Sequence, residues 1–286
     1  MNLGRGARLV APAWAAPVLL AALVALAIGC GGETEAPTWK LVFADEFEGP
    51  AGSAPNPRSW SFAVGGHGWG NQELQFYTDR PANAALDGQG ALVITARRED
   101  WSANRYTSAR LSTKGKRSFS HGRIEARLRL PAGKGLWPAF WLLGGHIDEV
   151  GWPACGEIDV MENRGAQPWR VSSALHGPGY SGGNAVIAGF ELPDRQSLAE
   201  DFHLYAVEWE SDELRFSVDG HTYHLVRRSR LAASGPWVFD RPFFLILNLA
   251  VGGTFGGAPD ESTTFPQRLV VDHIRVYERE AYPGGQ

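Results

Sequence analysis

Hydrophobic and polar residues alternate without interruption from Gly122 to Leu130, with an apolar side chain at every even position from 124 onward. Because successive side chains of a strand point to opposite faces, this pattern predicts a strand with one face in the core and the other in water. Residues Pro242 to Gly253 form an almost continuous apolar run, which is typical of a strand buried on both faces. Asp219-Gly220 separates two further strand-like segments and favours the two-residue turn of a β-hairpin.

Strand-like segments recur along most of the chain, and helix signals are few. The other predicted strands lie within residues 39–47, 91–96, 136–144, 157–162, 171–178, 202–210, 213–218, 221–227 and 269–277. Residues 179–200 are predicted to form a loop. Eight to a dozen strands joined by turns rich in glycine and proline predict an all-β sandwich. The length after residue 38 fits one large domain, and no internal linker or repeat divides it.

The first residues of the chain have the pattern of an export signal. Arg5 and Arg8 precede an uncharged apolar run from residue 9 to residue 29, as in a signal peptide. The run ends in Leu26-Ala27-Ile28-Gly29-Cys30, which resembles a bacterial lipoprotein box, where the chain is cut before a cysteine that becomes lipidated. Plain secretion and a retained membrane-spanning helix are the alternatives.

These patterns divide the chain into three parts. We expect residues 1–29 to be a lipoprotein-type signal peptide, residues 30–37 a tether that starts at the lipidated Cys30, and residues 38–279 the folded domain. The expected location is the cell envelope, where the lipid would anchor the protein to a membrane, or the medium if Cys30 is not lipidated.

Charge and cysteine content narrow the possible classes of protein. The chain carries 27 basic and 31 acidic residues, a formal charge of −4, and only basic charges lie in its first 29 positions. The remainder is therefore more acidic than the whole chain and lacks the clustered lysines and arginines of nucleic-acid-binding proteins, so no nucleic-acid partner is expected. Cys155 is expected to be a small buried hydrophobic residue, and no intramolecular disulfide is possible if Cys30 is lipidated.

The candidate chemistry lies in the acidic segment that runs from Glu157 to Glu162. In an extended strand Glu157 and Asp159 share one face, and strict alternation would place Met161 rather than Glu162 beside them. One extra residue, a β-bulge, would return Glu162 to the acidic face, and bulges often lie beside active sites. The alternative interpretation is a solvated strand face, because acidic side chains are mostly exposed.

The surroundings of this segment favour a sugar-binding cleft, because Trp137, Trp141 and Trp152 shortly precede it. Four strand steps would separate the two glutamate Cα atoms by about 13 Å. Side chains that lean inward on a curved sheet could bring the carboxyl groups to the ~5–5.5 Å of a retaining glycosidase or the ~6.5–9.5 Å of an inverting one. The spacing alone permits either outcome.

The run Glu157-Ile-Asp159-Val-Met-Glu162, with its preceding Trp-Pro-Ala-Phe-Trp, resembles the signature of glycoside hydrolase family 16 in its bulged form. This form is similar to laminarinases, which cleave β-1,3-glucan with retention, and the resemblance extends over about residues 38–279. It implies a β-sandwich jelly roll whose concave sheet forms the substrate cleft. It also implies that Glu157 is the nucleophile, Glu162 the general acid and later the base, and Asp159 a hydrogen-bonding partner of the nucleophile. No cofactor is expected for catalysis.

Further residues are expected at the cleft because their segments resemble the family. Trp69 and Asn71 lie in a glycine-rich stretch that resembles the loop on the glycone side of a laminarinase cleft. Trp137 and Trp141 lie four residues apart, on one strand face, at positions where laminarinase tryptophans face the cleft. The remaining expected site residues are Arg110, near the sugar, and His176, near the acid/base glutamate with an orienting role. A glycine-rich turn, core tryptophans and a structural histidine are the corresponding non-functional interpretations.

The resemblance has one gap and raises the question of metal ions. Laminarinases carry Gly-Gly-x-Trp-Pro-Gly at the end of the apolar strand, whereas this chain follows its two glycines with Thr-Phe-Gly-Gly and ends the segment at Gly257, so the tryptophan of the family has no evident counterpart.

Many relatives hold a structural calcium ion, and Glu46, Gly90 and Asp272 are its candidate ligands. A catalytic metal on the three carboxylates is not expected, because no histidine is spaced with them in the sequence and no calcium-loop glycine surrounds them.

The predicted function is retaining endo-hydrolysis of a β-1,3-glucan polysaccharide by a monomeric enzyme. Proteins of this fold that bind glucan without cleaving it are one alternative, although they typically lack the paired glutamates present here. The same hydrolysis on another β-linked polysaccharide is a second alternative, namely mixed-linkage glucan, agar or carrageenan, because agar and carrageenan enzymes share the bulged motif.

Overall fold

The computed structural model describes residues 38–280, and the predicted signal peptide, Cys30 and the tether lie outside this range. Within residues 38–280 the chain forms seventeen strands. They are β1 (Trp39–Asp45), β2 (Ser61–Phe62), β3 (Gln75–Tyr77), β4 (Ala84–Leu86), β5 (Leu92–Trp101), β6 (Asn104–Ser108), β7 (Arg110–Ser112), β8 (Gly122–Arg129), β9 (Leu136–Gly144), β10 (Glu157–Asn163), β11 (Arg170–His176), β12 (Val186–Glu191), β13 (His203–Trp209), β14 (Glu213–Val218), β15 (His221–Arg227), β16 (Phe243–Val251) and β17 (Gln267–Arg279). Helices are limited to single turns: α1 (Ile147–Val150), α2 (Arg228–Leu231), α3 (Gly253–Gly256) and three 3-10 turns at Gly68–Gly70, Gly182–Asn184 and Pro193–Arg195. None of the helices in this part of the chain is long and apolar enough to cross a membrane.

The described strands form two sheets, and nearly every pair in them is antiparallel. The larger sheet has the order β15-β14-β13-β8-β17-β5-β6-β3, with β1 beside β17 and β4 beside β5. The smaller sheet has the order β12-β11-β10-β9-β16-β7-β2. Strands distant in sequence are neighbours at the centre of each sheet, β8 with β17 and β9 with β16. The prediction of an all-β jelly-roll sandwich is confirmed.

The hydrophobic core lies between the sheets, where buried side chains of both form one connected cluster. Strand β16 is buried at every residue, as its continuous apolar run predicts. Leu245, Leu247 and Leu249 of β16 point into the core, so Asn248 lies on the opposite, outer face of the smaller sheet. That outer face carries the site described below.

The alternating segment and the Asp219-Gly220 segment form the strand and the hairpin turn that were predicted for them. Ile124, Ala126 and Leu128 of β8 are fully buried, and β8 lies in the middle of the larger sheet. Asp219 and Gly220 have φ values of 50° and 78°, the positive values that a type I′ turn requires at both central positions. This turn joins β14 to β15 as an antiparallel hairpin.

The prediction of a loop over residues 179–200 is wrong, because β12 lies within it. β12 is the edge strand of the smaller sheet and pairs along its length with β11. Its exposure alternates from residue to residue, but Gly189 interrupts the apolar series and weakens strand propensity. Strands of two or three residues, such as β2, β3 and β4, are too short for a periodic signal, so the described chain has more strands than the eight to twelve expected.

Candidate active site

Strand β10 carries the three carboxylates, and a β-bulge brings them to one face. The register of β10 against β11 shifts between Asp159 and Glu162, and its register against β9 shifts at the same place. Val160 and Met161 are consecutive, yet both are buried in the core. Because two residues in succession point inward, Glu162 returns to the outer face beside Glu157. The bulge predicted from the sequence is confirmed.

An open cleft of about 760 Å³ lies on the outer face of the smaller sheet, over β9, β10 and β16. Loops from both ends of the strands form its walls. All nine residues predicted for catalysis and substrate binding line it: Trp69, Asn71, Arg110, Trp137, Trp141, Glu157, Asp159, Glu162 and His176. The structure therefore brings together residues that are separated by more than one hundred positions in the sequence.

An indole N–H holds each of the two glutamates. Trp137 on β9 donates to Glu162 Oε1 at 3.0 Å, and Trp152 in the loop before β10 donates to Glu157 Oε2 at 2.9 Å. Within residues 38–280 the second oxygen of each glutamate accepts no hydrogen bond. The two carboxyl groups are thus fixed in one cleft with one oxygen each available to a substrate, as a two-carboxylate reaction requires.

Asp159 lies beside His176 rather than in a hydrogen bond with Glu157. His176 pairs with Glu157 across β10 and β11, and its Nε2 lies 3.0 Å from Asp159 Oδ2 and 3.6 Å from Glu157 Oε1. The hydrogen bond between Asp159 and the nucleophile that the resemblance implies is not among those of residues 38–280. No histidine is spaced with the carboxylates in the sequence, but the register of β11 brings His176 beside them from a distant position.

The tautomer of His176 is set by the turn that follows β11. The backbone N–H of Gly182 donates to His176 Nδ1 at 3.1 Å, so Nδ1 is an acceptor without a hydrogen. A neutral imidazole carries its hydrogen on the other ring nitrogen, here Nε2, which faces the carboxylates. His176 therefore presents a positive dipole end to Glu157 and Asp159, whereas the resemblance placed it near the acid/base residue Glu162.

Burial and mutual repulsion shift the ionisation of all three carboxyl groups. Burial raises the pKa of Glu157, Asp159 and Glu162, each to about 8. Charge on Asp159 raises the pKa of both glutamates further, and His176 lowers it. Because three carboxylates in one buried space cannot all ionise near neutral pH, the site holds protons there that exposed carboxyls would have released.

Arg110 lies between two of the predicted stacking residues. Its guanidinium carbon is 4.8 Å from the ring centroid of Trp69 and 4.7 Å from that of Trp141. Cation–π contacts of this kind hold planar groups in fixed orientation. They join the glycine-rich loop, which carries Trp69, to the floor of the cleft.

A chain of hydrogen bonds holds the Trp141 ring in position, and the sequence analysis did not identify it. Trp141 Nε1 donates to Asn248 Oδ1 at 2.7 Å, and Asn248 Nδ2 donates to Tyr77 Oη at 3.2 Å. Tyr77 and Asn71 both donate to the buried carboxylate of Glu73, at 3.0 and 3.3 Å. Asn248 had a sequence signal, since a polar residue inside an apolar strand needs a buried partner.

Phe255 stands at the position where laminarinases carry the tryptophan that is missing here. The centroid of its ring lies 5.1 Å from that of Trp137 and 4.2 Å from the guanidinium carbon of Arg164. Gly253 precedes it with φ +81°, and a Cβ there would lie 3.1 Å from the Trp137 ring. Phe255 lines the cleft, so an aromatic surface is retained at this end of it.

The cleft has further lining residues that the sequence analysis did not name as site residues. They are His67, Gly70, Glu73, Ala139, Leu143, Ile147, Trp152, Arg164, Gly182, Gly183, Ile187, Asn248, Thr254 and Phe255. His67 stacks on Trp69, with 4.5 Å between ring centroids. Ten of these residues lie on loops or single helical turns, where composition gives no indication of which side chains point towards a cleft.

The candidate calcium ligands lie away from this cleft and already have partners. The Glu46 carboxylate accepts two hydrogen bonds from Arg275, at 2.8 and 3.0 Å, and that contact lowers the pKa of Glu46. Asp272 Oδ2 lies 3.1 Å from Arg127 and 2.9 Å from His273. A Cβ on Gly90 would lie 3.8 Å from the backbone oxygen of Glu46. A calcium ion would thus fit backbone oxygens here better than the Glu46 side chain.

A jelly-roll sandwich with a bulged carboxylate strand in an aromatic cleft defines a class of polysaccharide-active protein, and the comparisons agree. Residues 69–274 match the model of glycosyl hydrolases family 16. The chain belongs to this family, and it is a glycoside hydrolase.

The relatives of the chain have consistent descriptions. A beta-glucanase of Rhodothermus marinus is 42% identical over 269 residues, which is 89% of this chain and 92% of that protein. Glucan endo-1,3-beta-glucosidase A1 of Niallia circulans is 37% identical over 262 residues, 84% of this chain but 38% of that longer protein. The catalytic domain of an endo-1,3-beta-glucanase (laminarinase) of Thermotoga petrophila is 48% identical with a TM-score of 0.82, and the match covers 86% of this chain and all of that domain.

Proposed function

We propose that the protein hydrolyses β-1,3-glucan of the laminarin type, within the polysaccharide chain and with retention of anomeric configuration. The observation that carries the proposal is the bulge of β10, which places Glu157 and Glu162 in one aromatic cleft, each held by an indole N–H. The descriptions of the beta-glucanase and laminarinase relatives support the same substrate.

Hydrolysis with retention proceeds in two displacements. In the first, Glu157 attacks the anomeric carbon while Glu162 donates a proton to the departing sugar oxygen, which gives a glycosyl ester on Glu157 and a free chain end. In the second, Glu162, now ionised, takes a proton from water as the water attacks the anomeric carbon and displaces the Glu157 carboxylate. Glu157 is released as a carboxylate and Glu162 is protonated again, so the site returns to its starting state.

The first displacement needs the negative charge on Glu157 and the proton on Glu162. The Nε2 hydrogen of His176 faces Glu157 and Asp159, at 3.6 and 3.0 Å, and His176 lowers the pKa of Glu157. Burial and repulsion raise the pKa of both glutamates, so the three carboxyl groups share protons near neutral pH. The reaction starts from the state in which that shared proton is on Glu162 and Glu157 is charged. When Glu157 becomes an uncharged ester, one source of repulsion is removed and Glu162 can act as a base.

Product analysis on laminarin, lichenan and agarose tests the proposal. We expect short soluble oligosaccharides from laminarin from the start of the reaction, as endo action gives, and β-configured products by NMR before mutarotation. Glu157→Gln is the matched control and should release nothing. Release from agarose alone would assign another polysaccharide, and binding to laminarin without any reducing ends would identify a glucan-binding protein instead.

We propose further that the protein is exported as a monomer and anchored to a membrane through a lipid on Cys30. The proposal rests on the apolar run and the lipoprotein box in the sequence, which lie outside residues 38–280. Metabolic labelling with a fatty acid should mark the wild type and Cys155→Ser but not Cys30→Ser. Labelling of Cys30→Ser as strong as that of the wild type would exclude the anchor. The clustered basic charge of nucleic-acid-binding proteins is absent from the sequence, so no such partner is proposed.

We also propose a structural calcium ion at the backbone oxygens of Glu46 and Gly90 and the carboxylate of Asp272. The chemistry of this set suits calcium, which prefers oxygen ligands. Calcium should raise the melting temperature of the wild type and leave that of Asp272→Ala unchanged. An equal response of both proteins would place any bound calcium elsewhere.

A further inference from the structure

The three side chains at the centre of the cleft also form a set of metal-ligand atoms. One ligand atom from each of Glu157, Asp159 and His176 lies within 4.8 Å of the other two. The His176 nitrogen is 3.0 Å from Asp159 Oδ2 and 3.6 Å from Glu157 Oε1. Ligand atoms about 2.0–2.2 Å from a tetrahedral zinc ion lie about 3.3–3.6 Å from one another. The set therefore needs only small side-chain movements to hold such an ion.

A second observation points to a ligand at this position. Asp159 is only 4% exposed, and its Oδ2 atom has no hydrogen-bond partner within residues 38–280. His176 Nε2 is close to this oxygen, but the geometry is not that of a hydrogen bond. A buried polar atom without a hydrogen-bond partner destabilises the folded protein, so a cation that binds Oδ2 would remove that cost.

The surroundings of the three atoms match those of a metal site with an open coordination position. Trp152 donates to Oε2 of Glu157, which orients that carboxylate and leaves Oε1 turned towards His176. Hydrogen bonds of this kind to the far side of a ligand are a regular feature of metal sites. The cleft lies over the three atoms, so water can occupy the remaining positions.

We propose that Glu157, Asp159 and His176 bind a divalent transition-metal ion, for which zinc is the test case, and that the bound ion blocks hydrolysis by occupying the nucleophile. The imidazole nitrogen favours zinc over calcium and magnesium, which prefer oxygen ligands. Metal binding itself is independent of the proposed function, whereas the inhibition rests on it.

Binding requires one rearrangement at His176. Its Nδ1 atom accepts the backbone N–H of Gly182, so the hydrogen now lies on Nε2. Zinc at Nε2 moves that hydrogen to Nδ1, and the bond to Gly182 breaks, which costs the protein one neutral hydrogen bond. This is small beside the free energy of a three-ligand zinc site, and a Cβ on Gly182 would meet no atom within 4 Å, so the turn has room to shift.

Calorimetric titration of the chelator-treated, full-length protein with zinc chloride tests the proposal. The wild type should show a zinc site whose affinity falls at least about tenfold in His176→Ala and in Asp159→Asn, a change of about 1.4 kcal/mol or more. His67→Ala is the matched control, because His67 lines the same cleft outside the ligand set, and its zinc affinity should equal that of the wild type. All four proteins carry the same cysteines, so zinc held by Cys30 or Cys155 is common to every titration.

Two further measurements locate the ion. Anomalous scattering from zinc-soaked crystals should show a peak between the three side chains, and a laminari-oligosaccharide should compete with zinc. Equal zinc affinity in the wild type and His176→Ala, or a peak at another place, would overturn the proposal. If zinc binds at this position but no β-1,3-glucan oligosaccharide competes, the metal site stands and the proposed substrate is wrong.

Discussion

At the residue scale, the ionisation of the site depends on the cost of burying three carboxylates and on the few groups that offset this cost. Glu157, Asp159 and Glu162 lose hydration in the cleft, and each raises the free energy of ionising the others. Two indole N–H groups and the imidazole of His176 offset part of this cost. The balance leaves protons in the site near neutral pH, which a reaction that needs one acid and one base requires.

The burial of Asp159 also predicts how the free energy of unfolding depends on pH. Burial raises the pKa of Asp159 to about 8 in the folded protein, against about 3.9 for an exposed aspartate. Between these values the folded state holds a proton that the unfolded state releases, so the free energy of unfolding falls as pH rises from about 4 to about 8. Asp159→Asn removes this loss. Its melting temperature should match the wild type near pH 4 and exceed it near pH 8, where the difference in the free energy of unfolding is roughly 5 kcal/mol.

Asp260→Asn is the control, because the pKa of Asp260 is lowered in the folded protein whereas that of Asp159 is raised. Hydrogen bonds from Ser262 and Lys134 lower the pKa of Asp260 to about 2, so its charge favours the folded state at neutral pH. This substitution should not raise the melting temperature at pH 8. An Asp159→Asn protein whose advantage is the same at pH 4 and pH 8 would show that Asp159 is ionised throughout.

The roles of the two glutamates can be separated by chemical rescue. Glu157→Ala leaves space for a small anion, so azide should restore turnover of an aryl β-glycoside and give the α-azide after a single inversion. Glu162→Ala still forms the ester from such a substrate, but water attacks it slowly without a base, so azide should speed release and give the β-azide. NMR of the products decides between the assignments. The β-azide from the first variant and the α-azide from the second would mean that the roles are reversed.

At the scale of elements, strand β10 contributes both a core face and a catalytic face, and the bulge makes the two compatible. Met161 is fully buried, and it follows Val160 on the same side of the strand. Without the extra residue, either Glu162 would point into the core or the core would lose an apolar side chain. The neighbouring strands β9 and β11 both accommodate the shift in register.

Deletion of Met161 tests this account. The shortened strand restores strict alternation, but β9 and β11 are matched to the longer one, so Glu162 should be misplaced and activity should fall by about 10²–10⁴-fold, the contribution of a positioned acid. Met161→Leu keeps the length and nearly the volume of the core, so it should cost less than about 1.5 kcal/mol and retain activity. Initial rates on laminarin, with circular dichroism to confirm folding, give the answer. A folded deletion variant with full activity would contradict the role of the bulge.

The sequence predicted those elements whose signals are local. The alternation in β8, the apolar run of β16 and the Asp219-Gly220 turn each depend on a few adjacent residues, and each formed as expected. Strand β12 was missed because its stability comes from pairing with β11. The approach of His176 to Asp159 was missed for a related reason: the register between two strands is set by the whole sheet.

The cleft residues differ in how they could be predicted. Alternation alone placed Glu157 and Asp159 on one face. The bulge that adds Glu162, and the assignment of Trp137 and Trp141 to the cleft rather than the core, depended on resemblance to the family. Phe255 shows the limit of that resemblance, because its contact with Trp137 follows from the path of the loop after β16. Residues held by tertiary contacts of this kind give no signal in a single sequence.

At the scale of the whole molecule, the smaller sheet carries the chemistry and the larger sheet supports it from behind. Strand β1 belongs to this supporting sheet: Trp39 to Asp45 pair with the last part of β17, from Ile274 to Arg279. Asp45 also accepts a hydrogen bond from Trp60 Nε1 at 2.8 Å, although its own strand is otherwise mostly exposed. The fold therefore requires the chain from about residue 38 onward.

Two truncations test this boundary. A protein that begins at residue 38 keeps β1 and should have the melting temperature and specific activity of the full chain. A protein that begins at residue 46 loses the backbone hydrogen bonds to β17 and leaves the indole N–H of Trp60, which is 3% exposed, without its acceptor. An unpaired buried donor alone costs about 1–3 kcal/mol, and each lost ladder bond adds about 0.5–1.5 kcal/mol. The second protein should therefore unfold at a much lower temperature and aggregate through the exposed edge of β17.

Asp45→Ala in the longer protein separates the loss of the strand from the loss of the hydrogen-bond acceptor, because it removes the acceptor and keeps the strand. Thermal unfolding of the three proteins measures each contribution, and equal melting temperatures for the two truncations would show that the domain begins after β1.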